Sequence, residues 1–222
     1  MLRVKICGIT NVEDAMLAAQ AGADAIGLNF YIHSSRACPA DVARQVVERL
    51  PDNICKVGVF VNATPDEIRK KVRDLKLDLV QLHGDEPPEM LAQLRGLPIM
   101  RAFRRATNFG AVSEYLQRCH SMRCMPRMLL VDACAMGQYG GTGSTVDWSA
   151  LAAARPQLAG LPLVLAGGLT PANVEEAIAA VRPWAVDVAS GVEQSPGKKS
   201  DALVREFAER AKAALARIPS AR

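Results

Sequence analysis

Leu165-Ala-Gly-Gly-Leu-Thr-Pro-Ala-Asn-Val174, a helical pattern, and then Val186-Asp-Val-Ala-Ser-Gly-Val-Glu193 make up the stretch whose reading decides the fold. Two short apolar strands, 163–166 and 185–189, each run into a glycine turn that is expected to open a helix. Such a turn points unpaired N–H groups outward, with the positive end of a helix dipole behind them. Glycine has no Cβ, so an anion can approach the backbone closely. Two such turns on consecutive βα units are the arrangement by which many eight-fold barrels hold a phosphate after strands seven and eight. Gly167, Gly168, Ser190 and Gly191 are the residues this reading assigns to a phosphate grip. Two ordinary glycine-containing turns remain the plainer reading.

Outward from that stretch, short strands alternate with amphipathic helices. Strands are expected at 2–6, 25–30, 56–61, 79–82, 98–102 and 128–131, ahead of the two already named. Asn11 is placed to cap a first helix over 12–21, with Gly22 ending it. Thr64-Pro65-Asp66-Glu67 reads as a capping box with proline in the first turn. Further helices are expected from about 40, 87, 108 and 147, and over 201–216. Strict alternation calls for parallel pairing with right-handed crossovers. An open doubly wound sheet uses the same units, but Cys7-Gly8-Ile9-Thr10 stands where its GxGxxG would follow strand one. The reading is therefore α/β, a single (β/α)8 TIM barrel spanning residues 1–222, with the last few residues a frayed tail.

Composition agrees. Of 222 residues half are hydrophobic, enough for one sizeable core, and no linker or low-complexity tract divides the chain. A net charge of +4 with scattered basic residues, and modest clusters at 101–105 and 198–199, argues against nucleic acid but suits a small anionic substrate. No leader or membrane-length apolar run is expected, so the reading is a cytoplasmic protein with no membrane partner. The six cysteines lack CxxC or Cys/His zinc spacing, and no metal is expected even where Cys119 and Cys124 flank His120. They read as reduced thiols. With no long exposed apolar stripe, a monomer is expected.

Parity along the strands locates the candidate chemistry. Arg3, Lys5 and Cys7 share one face of strand one; Leu79, Gln81 and His83 share one face of strand four. Leu130 goes with Asp132 on strand six, and Asp187 lies between Ala185 and Ala189 on strand eight. Barrel strands turn apolar residues outward to the helices, so this polar parity should face inward and gather at the C-terminal mouth. Lys5 and Asp187, on strands that become neighbours at closure, are expected to pair as an internal ion pair, with a catalytic role the alternative. Cys7 and Asp132 stand at strand ends: a thiolate can take a proton and a buried carboxylic acid can give one. Each also fits a structural role, Cys7 as a small buried hydrophobe and Asp132 as a cap or ion-pair partner. His83 fits a pocket residue or a structural histidine. Arg36, in the second βα loop, can clamp a carboxylate or simply be solvated. The glycine-rich 136–144 segment fits a substrate flap or a loose connection, and is not a Walker loop.

Lys5-Ile-Cys-Gly-Ile-Thr10, Gly58-Val-Phe-Val-Asn62, Gln81-Leu-His-Gly-Asp85, Leu130-Val-Asp132, Gly140-Gly-Thr-Gly143 with Asp147-Trp148, Ala166-Gly-Gly-Leu169 and Val186-Asp-Val-Ala-Ser-Gly-Val-Glu193 followed by Pro196-Gly-Lys198 together resemble the phosphoribosylanthranilate isomerase family. The resemblance spans nearly the whole chain. It implies a cofactor-free barrel of tryptophan biosynthesis that converts N-(5-phosphoribosyl)anthranilate to 1-(2-carboxyphenylamino)-1-deoxyribulose 5-phosphate, an Amadori rearrangement. It further implies Asp132 as general acid, Cys7 as general base, and Arg36 on the anthranilate carboxylate. Gly167, Gly168, Ser190 and Gly191 would then hold the phosphate. The chain departs from the family at Ser34-Ser35-Arg36-Ala37, where Ser-Pro-Arg-Tyr is usual, at Val146 for an aromatic, and at Ser144 for lysine. Rival readings are other phosphosugar barrels, namely the aminoaldose isomerase of histidine biosynthesis and indole-glycerol-phosphate synthase, or a non-catalytic phosphate-binding barrel.

Overall fold

The computed structural model describes residues 2–104, 109–132 and 148–218. Strands β1 (Val4–Cys7), β2 (Ala25–Asn29), β3 (Cys55–Phe60), β4 (Leu79–Leu82), β5 (Ile99–Arg104), β6 (Met128–Asp132), β7 (Leu163–Ala166) and β8 (Ala185–Val188) form one closed parallel barrel. Closure comes from β8 pairing with β1, which sets Lys5 opposite Asp187. Helices α1 (Val12–Gln20), α2 (Ala40–Arg49), α3 (Pro65–Leu75), α4 (Pro88–Gln93), α5 (Phe109–Ser121), α6 (Trp148–Ala154), α7 (Val174–Val181) and α8 (Asp201–Ala216) surround it. The architecture is the (β/α)8 barrel that alternation predicts.

Local signals act as expected where they are strong. The Asn11 side chain accepts from Asp14 N at the start of α1, and Thr64 with Glu67 forms a reciprocal capping box on α3. Gly22 takes a φ of +89° just past α1, a conformation that costs glycine little.

The core has two layers. Outward-facing Val4, Ile6, Ile26, Leu28, Val186 and Val188 pack against the helices. Inside the barrel, Ala25, Val57, Leu79, Met100, Met128, Leu130, Val164 and Ala185 make a separate apolar plug. Several inward columns change character along their strands. Leu79 gives way to Gln81 and His83 on β4, Leu130 to Asp132 on β6, and Ala185 to Asp187 on β8. The plug therefore ends below a polar layer at the C-terminal mouth.

Several expectations need correction. The strand expected over 2–6 is Val4–Cys7, and the one expected over 98–102 runs on to Arg104, because the barrel register carries pairing further toward the mouth. Neither glycine turn opens directly onto a long helix. After β7 the chain turns through Thr170 and Asn173 before α7 begins at Val174. After β8 a single 3-10 turn, Ser190–Val192, leads into a hairpin of β9 (Glu193–Ser195) and β10 (Lys198–Lys199) before α8. Much of the dipole contribution expected behind the second turn is therefore absent.

The basic clusters also differ from solvated patches. Arg101 lies on the outer face of β5, buried, where it pairs with Glu86 at 3.2 Å and donates to the carbonyls of Leu82, Gly84 and Ala102. Lys199 is likewise buried. Cys119 and Cys124 are buried while His120 is exposed, so the three do not share a face. The 136–144 segment, Cys134, Ser144, Val146, Asp147 and the tail 219–222 lie outside the described residues.

Candidate active site

A cavity of about 290 Å³ opens at the C-terminal mouth of the barrel. Cys7, Arg36, His83 and Asp132 line it together with Gly167, Gly168, Ser190 and Gly191. Residues assigned from six separate stretches of sequence thus meet at one place. Strand parity delivers Cys7, His83 and Asp132, while the loops after β2, β7 and β8 deliver the rest.

Cys7 ends β1 opposite Gly27 of β2. A Cβ at position 27 would stand 2.6 Å from Cys7 Sγ and 3.0 Å from Lys5 Nζ, so glycine there makes the room both groups occupy. Below the thiol, Lys5 Nζ donates to Asp187 Oδ1 at 2.7 Å, the internal ion pair expected from the sequence. Burial disfavours the Lys5 ammonium, but the Asp187 carboxylate and the neighbouring Cys7 outweigh it and hold the Lys5 pKa above its ordinary value. Burial pushes the Cys7 thiol up, and the opposing pull of Lys5 does not cancel it.

His83 follows β4, with Nδ1 2.7 Å from Gln81 Nε2 and Nε2 4.0 Å from Asp132 Oδ2. With the Gln81 amide donating to Nδ1, the ring proton sits on Nε2, toward Asp132. Burial lowers the His83 pKa more strongly than the Asp132 and Asp187 charges raise it, so the imidazole is neutral at neutral pH.

Arg36 reaches the cavity from the loop after β2, which is held by hydrogen bonds around Ser34. Asn29 Nδ2 donates to Ser34 Oγ at 3.0 Å, Arg36 N donates to the same oxygen at 3.1 Å, and Asn29 bridges to Ala37. The arginine stem crosses Gly8, where a Cβ would lie 2.7 Å from Arg36 Cδ. The guanidinium is bound bidentately by Glu193, Nε at 2.8 Å and Nη2 at 2.7 Å, through one of its two edges. Glu193 also accepts from Lys199 Nζ at 2.8 Å. This partner was missed by sequence reasoning, which treated Arg36 alone. Its only signal was the Glu that ends the Val186–Glu193 motif.

The two glycine turns touch each other. A Cβ on Gly191 would come within 1.8 Å of Leu169 O, so the β8 turn packs directly against the backbone of the β7 turn. Gly167 and Gly168 have φ values of +92° and +65°, and nothing lies within 4 Å of where a Gly168 Cβ would stand. An anion could occupy that open backbone surface.

A closed (β/α)8 barrel with a polar cavity of thiol, carboxyl, imidazole and guanidinium at its strand ends defines a class: a barrel enzyme acting on a small polar molecule. Comparison with known proteins then identifies the kind. Residues 4–210 match the model of the N-(5'phosphoribosyl)anthranilate (PRA) isomerase family, and the chain belongs to that family. It is 45% identical over 215 residues to N-(5'-phosphoribosyl)anthranilate isomerase of Geobacter metallireducens, covering 96% of this chain and 100% of the relative. The crystal structure of phosphoribosyl anthranilate isomerase from Thermotoga maritima is 41% identical, with a TM-score of 0.82 over 96% of this chain and 100% of that one. A further isomerase structure, in complex with reduced 1-(o-carboxyphenylamino)-1-deoxyribulose 5-phosphate, is 39% identical with a TM-score of 0.79, covering 96% of this chain and 100% of that one. The protein is therefore an isomerase, and the role in tryptophan biosynthesis implied by the sequence resemblance is supported.

Proposed function

We propose that this chain rearranges N-(5-phosphoribosyl)anthranilate with Asp132 as general acid and Cys7 as general base. Asp132, in its protonated form, gives its proton to the furanose ring oxygen, and the C1–O bond breaks to leave an iminium at C1. Cys7, as thiolate, removes the proton from C2, and the electron pair moves through C1 onto nitrogen to give the enolamine. Tautomerisation then yields the 2-ketose. One proton enters at oxygen and one leaves carbon, so an acid and a base facing the same cavity suffice.

The observation that carries this reading is that Cys7 and Asp132 line one cavity with two glycine turns and Arg36. The turns would take the phosphate through Gly167, Gly168, Ser190 and Gly191, and Arg36 the anthranilate carboxylate. Anchoring both ends leaves the reacting carbons between the acid and the base. The upward shift of Cys7 makes its thiolate scarce but strongly basic, and the Lys5 ammonium beside it offsets the negative charge when it forms. His83, neutral, would donate from Nε2 at the acid's side of the cavity.

The reading further places the enzyme in the cytoplasm as a single-domain monomer. The described cysteines are free thiols, and no described helix is long and apolar enough to cross a membrane. Crystals of this protein soaked with the reduced product analogue test the site directly. The phosphate should lie on the two turns, the carboxylate on Arg36, and Cys7 Sγ beside C2. A phosphate bound elsewhere contradicts the assignment.

A further inference from the structure

The carboxylate clamp has a support whose geometry is unusual for a group meant to bind an anion. A glutamate already occupies it: Glu193 holds Arg36 through Nε and Nη2, and both oxygens of that glutamate are engaged. An acidic residue beside an anion site should weaken it, unless its charge is cancelled and its hydrogen bonds do something else. Both conditions hold here. Lys199, whose side chain is fully buried, donates to Glu193 Oε1 at 2.8 Å and to Ala189 O at 3.1 Å, so two cations face one carboxylate. The cluster keeps one net positive charge. Burial pushes the Glu193 carboxyl up, but the hydrogen bonds from Arg36 and Lys199 prevail and hold it below the ordinary glutamate range. Glu193 is thus ionised in the resting site.

The hydrogen bonds fix direction. A guanidinium has two edges that can each take a carboxylate in a fork, and Glu193 fills the Nε–Nη2 edge. The Nη1–Nη2 edge remains on a side chain that is 27% exposed and lines the cavity. A planar group gripped on one edge by a buried partner cannot swing, so its outer edge keeps one orientation. The hairpin that carries Glu193 is braced at both ends. Lys199 N donates to Asp14 Oδ2 in α1, and Thr10 Oγ1 donates to Gly197 O at the hairpin tip. Glu193 also follows Gly191 by two residues, so the same short segment joins the proposed phosphate seat to the carboxylate clamp.

We propose that Glu193, with its charge balanced by Lys199, is a positioning residue that aims the outer edge of Arg36 and so makes binding selective for aromatic amines carrying a carboxylate. This rests on the reading of Arg36 as the clamp.

Calorimetric titration of the full chain with two ligands tests it: the reduced product analogue bearing a 2-carboxyphenylamino group, and the same molecule with an unsubstituted phenylamino group. Glu193→Gln should weaken the carboxylated ligand by about 10-fold or more while changing the unsubstituted one by less than about 2-fold, as a misaimed contact should. Lys199→Met should shift affinity in the same selective direction, because Glu193 then cancels Arg36. In turnover the Glu193→Gln loss should appear in KM rather than kcat. Equal weakening of both ligands would mean a brace without a role in recognition, and overturns the proposal. If Arg36→Met loses carboxylate selectivity while Glu193→Gln keeps it, the clamp stands and this inference alone fails. If Arg36→Met keeps the selectivity of the wild type, both fall. The unsubstituted ligand also reports whether each variant still folds.

Discussion

Lys5 Nζ, with no exposed surface, lies 2.7 Å from Asp187 Oδ1 across the seam where β1 meets β8. The pair sits directly beneath Cys7 and joins the first and last strands of the ring. Removing one partner strands a charge in a region with little water. Lys5→Met should therefore cost about 3–5 kcal/mol in urea unfolding, and a Lys5→Met/Asp187→Leu double variant should recover most of it. A single-variant cost below about 1 kcal/mol would show that the pair carries little of the fold's stability.

Gly27 tests the packing around the thiol. Its missing Cβ would stand 2.6 Å from Cys7 Sγ, so Gly27→Ala must displace the sulfur, the Lys5 ammonium or the strand. The expected stability loss is about 1–3 kcal/mol, as for other overpacked sites. The kcat should fall by at least about 10-fold, since small misplacements of a reacting group are costly. Unchanged kcat in a folded variant would separate catalysis from the position of Cys7.

The two glycine turns should respond differently to a methyl group. Gly191→Ala drives a Cβ to 1.8 Å from Leu169 O and must separate the turns, whereas Gly168 faces open space and pays only for its φ of +65°. Gly191→Ala should raise the inhibition constant for inorganic phosphate by about 10-fold or more, the scale of losing one or two charge-assisted hydrogen bonds. Gly168→Ala should lose about 1 kcal/mol of stability from backbone strain. Phosphate inhibition unaffected by Gly191→Ala would move the anion site elsewhere.

The Cys7 thiol should be mostly protonated in the resting enzyme. Burial raises its pKa above the ordinary cysteine value, so the thiolate fraction climbs with pH through the neutral range without levelling off. Alkylation of Cys7 by iodoacetamide, followed on its peptide by mass spectrometry, should accelerate about 10-fold per pH unit between roughly pH 7 and 9. Lys5→Met removes the group that favours the thiolate, so the same rate should fall at every pH. A plateau below about pH 8 would contradict the upward shift.

Much of this site is legible in the sequence because barrel geometry is periodic. Alternation alone puts Lys5, His83, Asp132 and Asp187 inside, and the order of the strands makes β1 and β8 neighbours. Glycines in the turns after β7 and β8 are equally visible, since only such residues let an anion approach. What escapes is set by side-chain contacts between distant segments. Nothing local to Arg36 says that its partner lies 157 residues away, or that the partner is carried on a two-stranded hairpin. Nor does parity predict Arg101, which sits on the outward face of β5 among apolar neighbours yet is sustained by three carbonyls and Glu86. The direction of the Cys7 shift also depends on burial outweighing a nearby ammonium, a balance that only coordinates reveal.

Turnover of N-(5-phosphoribosyl)anthranilate by purified wild-type protein, Cys7→Ser and Asp132→Asn, followed by loss of the anthranilate fluorescence of the substrate, tests the central claim most directly. The account predicts conversion by the wild type and a drop in kcat of about 100-fold or more in each variant, with folding intact. Near wild-type kcat in either variant would contradict the acid and base assigned to this cavity.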